Sequence, residues 1–135
     1  MKEFSEGNVV IIFDTAAFLA GLHLLIGGKV VTVEEVIQEV KDSYSASRLE
    51  YGVEANKVEL LEVGRITVSS IIPDELRSKL SRTDLKILQL AYEMKKKGKN
   101  VVVLTDDYAL QKSLLFLKID FRPVRHRGIK EKKID

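Results

Sequence analysis

The sequence predicts an α/β fold with a central, mainly parallel sheet covered by helices on both faces. Three observations carry this expectation. Val9–Phe13 (VVIIF) and Val101–Leu104 (VVVL) are short apolar runs rich in β-branched residues, without polar alternation. Such runs suit strands buried on both faces, which is the environment of a parallel sheet. Segments with helical apolar spacing lie between and after them. The strand–helix alternation then implies βαβ units with right-handed crossovers.

The elements follow in order. Val9–Phe13 is the first strand. Thr15–Leu25 has helical spacing at Phe18, Leu19, Leu22 and Leu25, and Gly27-Gly28 ends it. The Gly27-Gly28-Lys29-Val30 stretch reads as a turn, because it lacks the GxxxxGK[ST] spacing of a phosphate loop. Thr32 with Glu35 three residues later forms a candidate capping box for a helix through about Asp42. Ser45–Asn56 reads as another helix, with Leu49 and Val53 four apart. Val58–Val63 and Ile66–Ile72 alternate as one or two short strands, and Pro73–Leu80 suits a helical turn. Ser81 caps a helix to about Lys97 whose apolar face is Leu85, Leu88, Ala91 and Tyr92; Gly98 stops it. Asn100–Leu104 is the second buried strand, Asp106–Leu117 a helix and Ile119–Phe121 a last short strand. The expected organisation is one domain over residues 1–123 and a basic tail over 124–135.

Composition bounds the function. At 135 residues, 45% hydrophobic and 31% charged, the chain suffices for one well-buried core. The net charge of +2 is too small to argue for nucleic acid by itself, but its distribution is uneven. From Arg122 onward there are six Lys/Arg against two acids. The absence of cysteine excludes disulfides and cysteine-ligated metals, and fits a reducing, cytoplasmic setting. The polar start MKEFSEGN lacks a signal-peptide core, and no apolar stretch approaches the roughly 20 residues that span a bilayer, so no membrane partner is expected.

Acidic residues recur where apolar runs end or helices begin: Asp14, Glu35 and Glu39, Asp84, and the pair Asp106/Asp107. A residue just past a parallel strand sits at the carboxyl edge of the sheet, where open α/β folds bind ligands. Carboxylates gathered there repel, and a hard divalent cation with oxygen ligands relieves that repulsion. This is the pattern of a metal-dependent phosphodiesterase. Each acid also has a structural reading. Asp84 closes an S-x-x-D capping box with Ser81, Glu35 caps the preceding helix, and one of Asp106/Asp107 suits a helix dipole. Glu39, one turn beyond Glu35, has no capping duty. Asp14 is badly placed for stability unless it serves a site. Thr15 and Thr105 add hydroxyls beside the carboxylates that suit holding a water beside a metal. His23 lies in an apolar helical segment and reads as packed rather than ligating. There is no GxGxxG or GxSxG motif.

VVIIFDTAAF, TVEEVIQEV, LSRTDLKILQLAYEM and VVVLTDDYALQ, in this order, resemble the PIN-domain ribonucleases from Val9 to about Phe121. Within that family, LTDDYALQ, LSRTD and the tail FRPVRHRGIKEK are similar to the archaeal endonucleases that process the 3′ end of small-subunit ribosomal RNA. Those enzymes carry a cysteine-ligated zinc ribbon after the domain; this sequence holds no cysteine. The resemblance implies a three-layer α/β/α sandwich, Mg²⁺ or Mn²⁺, and single-stranded RNA as substrate. It implies metal binding by Asp14, Glu39, Asp84 and Asp107, with Thr105 assisting. The doubled acid leaves Asp106 as an alternative ligand.

An acidic site cannot itself attract RNA, so basic residues must hold the phosphates. Arg48 and Arg82 fall near the expected rim, and Arg122, Arg125, Arg127 and Lys130 belong to the tail. The expected partners are RNA together with a ribosomal partner. A toxin ribonuclease of the VapC type, neutralised by an antitoxin, is the alternative, and a non-catalytic RNA-binding PIN module is a third reading. A homodimer is compatible with each.

Overall fold

The computed structural model describes residues 9–43 and 57–125. The expected helix over Ser45–Asn56 therefore lies outside the described residues, as do Arg48, Arg127 and Lys130. The elements are β1 (Val9–Phe13), α1 (Thr15–Leu19), β2 (Val30–Thr32), α2 (Glu34–Lys41), β3 (Val58–Leu60), α3 (Asp74–Arg77), α4 (Arg82–Lys96), β4 (Asn100–Leu104), α5 (Tyr108–Phe116) and β5 (Asp120–Arg122). Single 3₁₀ turns occupy Leu22–Leu24 and Val68–Ser70. The architecture is a three-layer α/β/α sandwich.

The sheet is parallel throughout, in the order β3-β2-β1-β4-β5. β1 and β4 pair along their full length, from Val9 opposite Asn100 to Phe13 opposite Leu104. Ile11, Ile12, Phe13, Val101, Val102 and Val103 are all buried, as runs without polar alternation require. From β1 the chain winds outward through β2 to β3. It then returns through α4 and places β4 and β5 on the other side of β1. The order therefore reverses between β1 and β4, and a crevice at their carboxyl ends is the expected ligand position.

Five local expectations give way to tertiary constraints. β2 was read as part of a turn and a cap. It is too short to show alternation, and it is buried at all three residues. Thr32 is consequently a strand residue, and its hydroxyl donates to the Phe13 carbonyl at 2.7 Å. Val33 takes the N-cap position without a side-chain cap, while Glu35 pairs with Lys86 at 3.1 Å. The helix expected over Thr15–Leu25 breaks at Gly21, whose φ of 74° is left-handed. Leu25 is thereby 79% exposed, and fully buried His23 packs instead against Phe13 and Phe18, with centroids 6.4 and 5.2 Å away. Ile66–Ile72 is no strand: the Thr67 and Val68 amides donate to Gln89 Oε1 at 2.9 and 3.0 Å rather than to a neighbouring strand. α5 begins at Tyr108, with Asp106 and Asp107 ahead of it.

α4 conforms at its ends. Ser81 and Asp84 form a reciprocal capping box at 3.0 and 2.9 Å, and Gly98 (φ 86°) follows it. Its buried face is rotated from the expected one: Ile87, Leu88, Leu90 and Ala91 are buried, whereas Leu85 and Tyr92 are half-buried. Gln89, 3% exposed, is buried with them because it serves the 67–68 backbone.

Replacing Gln89 with Leu keeps the volume but strands two amide donors. Each unsatisfied buried group costs about 1–3 kcal/mol, so Gln89→Leu should destabilise the protein by about 2–6 kcal/mol in urea unfolding. A loss under 0.5 kcal/mol would show that water replaces the carbonyl.

Candidate active site

The site is built at the carboxyl ends of β1 and β4. The Asp14 amide donates to the Leu104 carbonyl at 3.1 Å, which extends the β1–β4 ladder by one residue. The Thr105 amide does the same toward the Arg122 carbonyl at 3.1 Å. Asp14 and Thr105 are thus fixed by the sheet itself and not by a loop.

Asp14 is also the N-cap of α1, accepting from the Thr15 amide at 2.7 Å. Its second oxygen accepts from the buried Thr105 hydroxyl at 2.7 Å. That hydroxyl in turn accepts from the Asp107 amide at 3.0 Å. Asp107 caps α5 through the Leu110 amide at 2.8 Å, and Gln111 donates to the Thr105 carbonyl at 2.8 Å. One threonine therefore joins the first and last acids of the constellation.

Glu39 is held by the threonines beside Asp14 and Asp84. It lies exposed on α2, accepting from the Thr15 hydroxyl at 2.5 Å and the Thr83 hydroxyl at 2.9 Å. Thr15 follows Asp14 on α1, and Thr83 precedes Asp84 on α4. Glu39 so ties three helices together above the sheet edge. Thr83 was missed from the sequence. Its signal was the recurrence of a threonine within two residues of each site aspartate: Asp14-Thr15, Thr83-Asp84 and Thr105-Asp106-Asp107.

The electrostatics reflect crowding of like charge. Burial pushes the Asp14 carboxyl up to about 6; hydrogen bonds from Thr105 and Thr15 oppose this, and the charges of Asp84 and Asp107 add to it. Burial likewise raises Asp84, against the Ser81 amide, and the charges of Asp107 and Glu39 push the same way. Like charge disfavours ionisation of a neighbour. Asp14, Asp84 and Asp107 therefore act on one another across the crevice.

Asp106 points elsewhere. Its side chain is 7% exposed, pairing with the Arg125 guanidinium at 3.0 Å and accepting from the Val124 amide at 2.7 Å. Arg82 is exposed at the start of α4, and Arg122 lies on β5 with its guanidinium donating to the Phe121 carbonyl. Two clefts of the described surface, one beside Val33, Glu35 and Lys86 and another beside Lys95, Lys99 and Asp120, are not lined by Asp14, Glu39, Asp84 or Asp107.

The donor set fits a hard cation. It is all oxygen, and Asp84 Oδ1 and Asp107 Oδ2 carry no protein hydrogen bond among the described residues. As the side chains stand, no three His, Asp or Glu among the described residues converge on one point.

The carboxyl edge of the parallel sheet thus carries Asp14, Asp84 and Asp107 as an interacting set of carboxylates. Residues 11–94 match the family model described as the PIN domain of ribonuclease. The chain is 32% identical to Ribonuclease VapC3 of Aeropyrum pernix over 126 residues, covering 90% of this chain and 91% of that protein. It is 31% identical to Endoribonuclease Nob1 of Pyrococcus abyssi over 125 residues, covering 90% and 71%. It is 39% identical to Endoribonuclease Nob1 of Archaeoglobus fulgidus over 103 residues, covering 73% and 60%. The chain belongs to the PIN-domain ribonuclease family.

The raised Asp14 carboxyl predicts a pH dependence of stability. Its value is 3.8 unfolded and about 6 folded, so the folded state holds the proton more tightly. This contribution is fully present below about pH 4 and is lost as pH rises through about 6, amounting to on the order of 3 kcal/mol. Asp14→Asn should remove that decline and be the more stable protein at pH 7. Denaturant unfolding at pH 4, 5, 6 and 7 checks this; parallel curves for the two proteins would contradict it.

Proposed function

We propose that this chain is a divalent-metal-dependent endoribonuclease that hydrolyses phosphodiester bonds of single-stranded RNA. The observation that carries the reading is the buried Asp14 at the switch point, coupled to Asp84 and Asp107 and pinned by Thr105. Asp14, Asp84, Asp107 and Glu39 would hold the cation, Mg²⁺ or Mn²⁺. When bound, such an ion supplies a more acidic water and a counter-charge for the phosphoryl oxygens. Thr105 keeps Asp14 and the start of α5 in register. Thr15 and Thr83 orient Glu39, while Arg82, Arg122 and Arg125 offer phosphate contacts that the acids cannot.

The likeness to the two Nob1 proteins supports ribosomal RNA as the biological substrate, with a ribosomal particle as partner. A second reading, a toxin with an antitoxin partner, is favoured by the near-full coverage of VapC3. Expression in a host without the cognate antitoxin separates them: growth arrest points to the toxin, and unimpaired growth with cleavage of precursor RNA points to maturation.

The activity test is cleavage of a panel of single-stranded RNAs with Mn²⁺. Asp14→Asn and Asp107→Asn should each lower cleavage about a hundredfold or more, since both remove a direct ligand rather than an outer-shell support. Wild-type rates in either variant would remove that residue from the site. Metal binding can be read without RNA. Mn²⁺ at about 100 times its dissociation constant should stabilise the wild type by roughly 2.7 kcal/mol. The same addition should leave Asp14→Asn nearly unmoved in thermal unfolding; equal shifts would place the ion elsewhere.

A further inference from the structure

We propose that Asp106 is a positioning residue that presents the Arg125 guanidinium to a phosphate of the RNA. This assignment rests on the ribonuclease reading above. The carboxylate makes no hydrogen bond to the Asp14, Thr105 or Asp107 side chains among the described residues. Its oxygens are instead taken by Val124 and Arg125. Oδ1 accepts from the Val124 amide at 2.7 Å, and Oδ2 accepts from the Arg125 amide at 3.2 Å. Arg125 Nε donates to Oδ2 at 3.0 Å. Asp106 is 7% exposed, and Arg125 is 64% exposed. The anchor is therefore buried and the cation reaches into solvent.

This geometry separates the two halves of the Arg125 fork. Nε is spent on Asp106, and neither terminal nitrogen has a protein partner among the described residues. A planar guanidinium held by one edge leaves its other donors oriented for a bidentate phosphate contact. Without the carboxylate, the long side chain would lose that orientation and would have to recover it on binding. The anchor lies one residue from Asp107, so the held cation is tied to the loop that carries the cleavage site. A doubled acid thus divides its labour: Asp107 lies among the interacting carboxylates, and Asp106 holds Val124 and Arg125.

The test exploits a sign. By net charge alone, Asp106→Asn removes an anion and should tighten RNA binding. Positioning through Arg125 demands the reverse. Binding of a single-stranded oligoribonucleotide is measured without divalent metal at several salt concentrations, and steady-state cleavage with Mn²⁺. Asp106→Asn should weaken binding and raise KM roughly two- to fivefold, with kcat held. Arg125→Gln should match it and lower the log–log salt slope by about 0.7. The double variant should be no weaker than Arg125→Gln alone. Arg125 is an exposed position, so its variant reports even where Asp106→Asn unfolds, a point read from thermal melting. Tighter or unchanged binding by folded Asp106→Asn, an additive double variant, a fall in kcat alone, or an Arg125→Gln without effect would each overturn the assignment. Failure of the wild type to bind or cleave RNA would overturn the ribonuclease reading along with it.

Discussion

The buried Thr105 hydroxyl is the contact on which the rest of the site depends. It donates to Asp14 and accepts from the Asp107 amide, so a single oxygen locks the end of β1 to the start of α5. Both of its neighbours are also held by the sheet ladder or by a helix cap. A carboxylate this deeply buried pushes its own pKa up, and only hydrogen bonds at fixed positions keep it near ionisation. Asp14 is therefore placed by the paired central strands β1 and β4.

Threonine recurs as the mediator. Thr32 satisfies the Phe13 carbonyl beneath the site, Thr105 bridges Asp14 to Asp107, and Thr15 and Thr83 hold the two oxygens of Glu39. A hydroxyl can donate to a carboxylate while adding no charge. Lysine or arginine at these places would neutralise the acids and compete with a cation. Threonines instead fix the carboxylates and preserve the negative potential. Among the described residues, the cations that do form ion pairs stand outside this network: Lys86 with Glu35, Arg77 with Asp74, and Arg125 with Asp106.

Several polar residues that look alike in sequence serve different ends. Asp84 is at once a capping residue and a member of the coupled acids, since one oxygen serves Ser81 and the other carries no protein hydrogen bond among the described residues. Asp107 has the same double duty at α5. Capping and ligation thus do not exclude one another, because an N-cap uses one oxygen of two. Gln89 shows the opposite case, a buried polar group with a purely structural task.

The strong periodic or fully apolar segments were legible from the sequence alone. β1, β4 and α4 stand out because burial on both faces, or a capped amphipathic helix with a glycine stop, leaves a composition that few other structures share. Asp14 and Asp107 lie just past β1 and β4, so the sequence alone expects them at one sheet edge, whereas Asp84 sits in the first turn of α4 and is placed by the packing of that helix. What the sequence left open was decided by contacts distant along the chain. β2 is three residues long and is a strand only because β1 and β3 flank it. Residues 66–72 alternate like a strand, but Gln89 takes their amides. Neither Asp106 nor Asp107 differs locally in any way that assigns its direction. The return of Val124 and Arg125 past β5 draws Asp106 away, while the Asp107 side chain is held by the Leu110 amide and its backbone amide by the Thr105 hydroxyl. Local sequence encodes propensity and pattern, whereas the partner of a polar group is chosen by whatever the fold brings within hydrogen-bond reach.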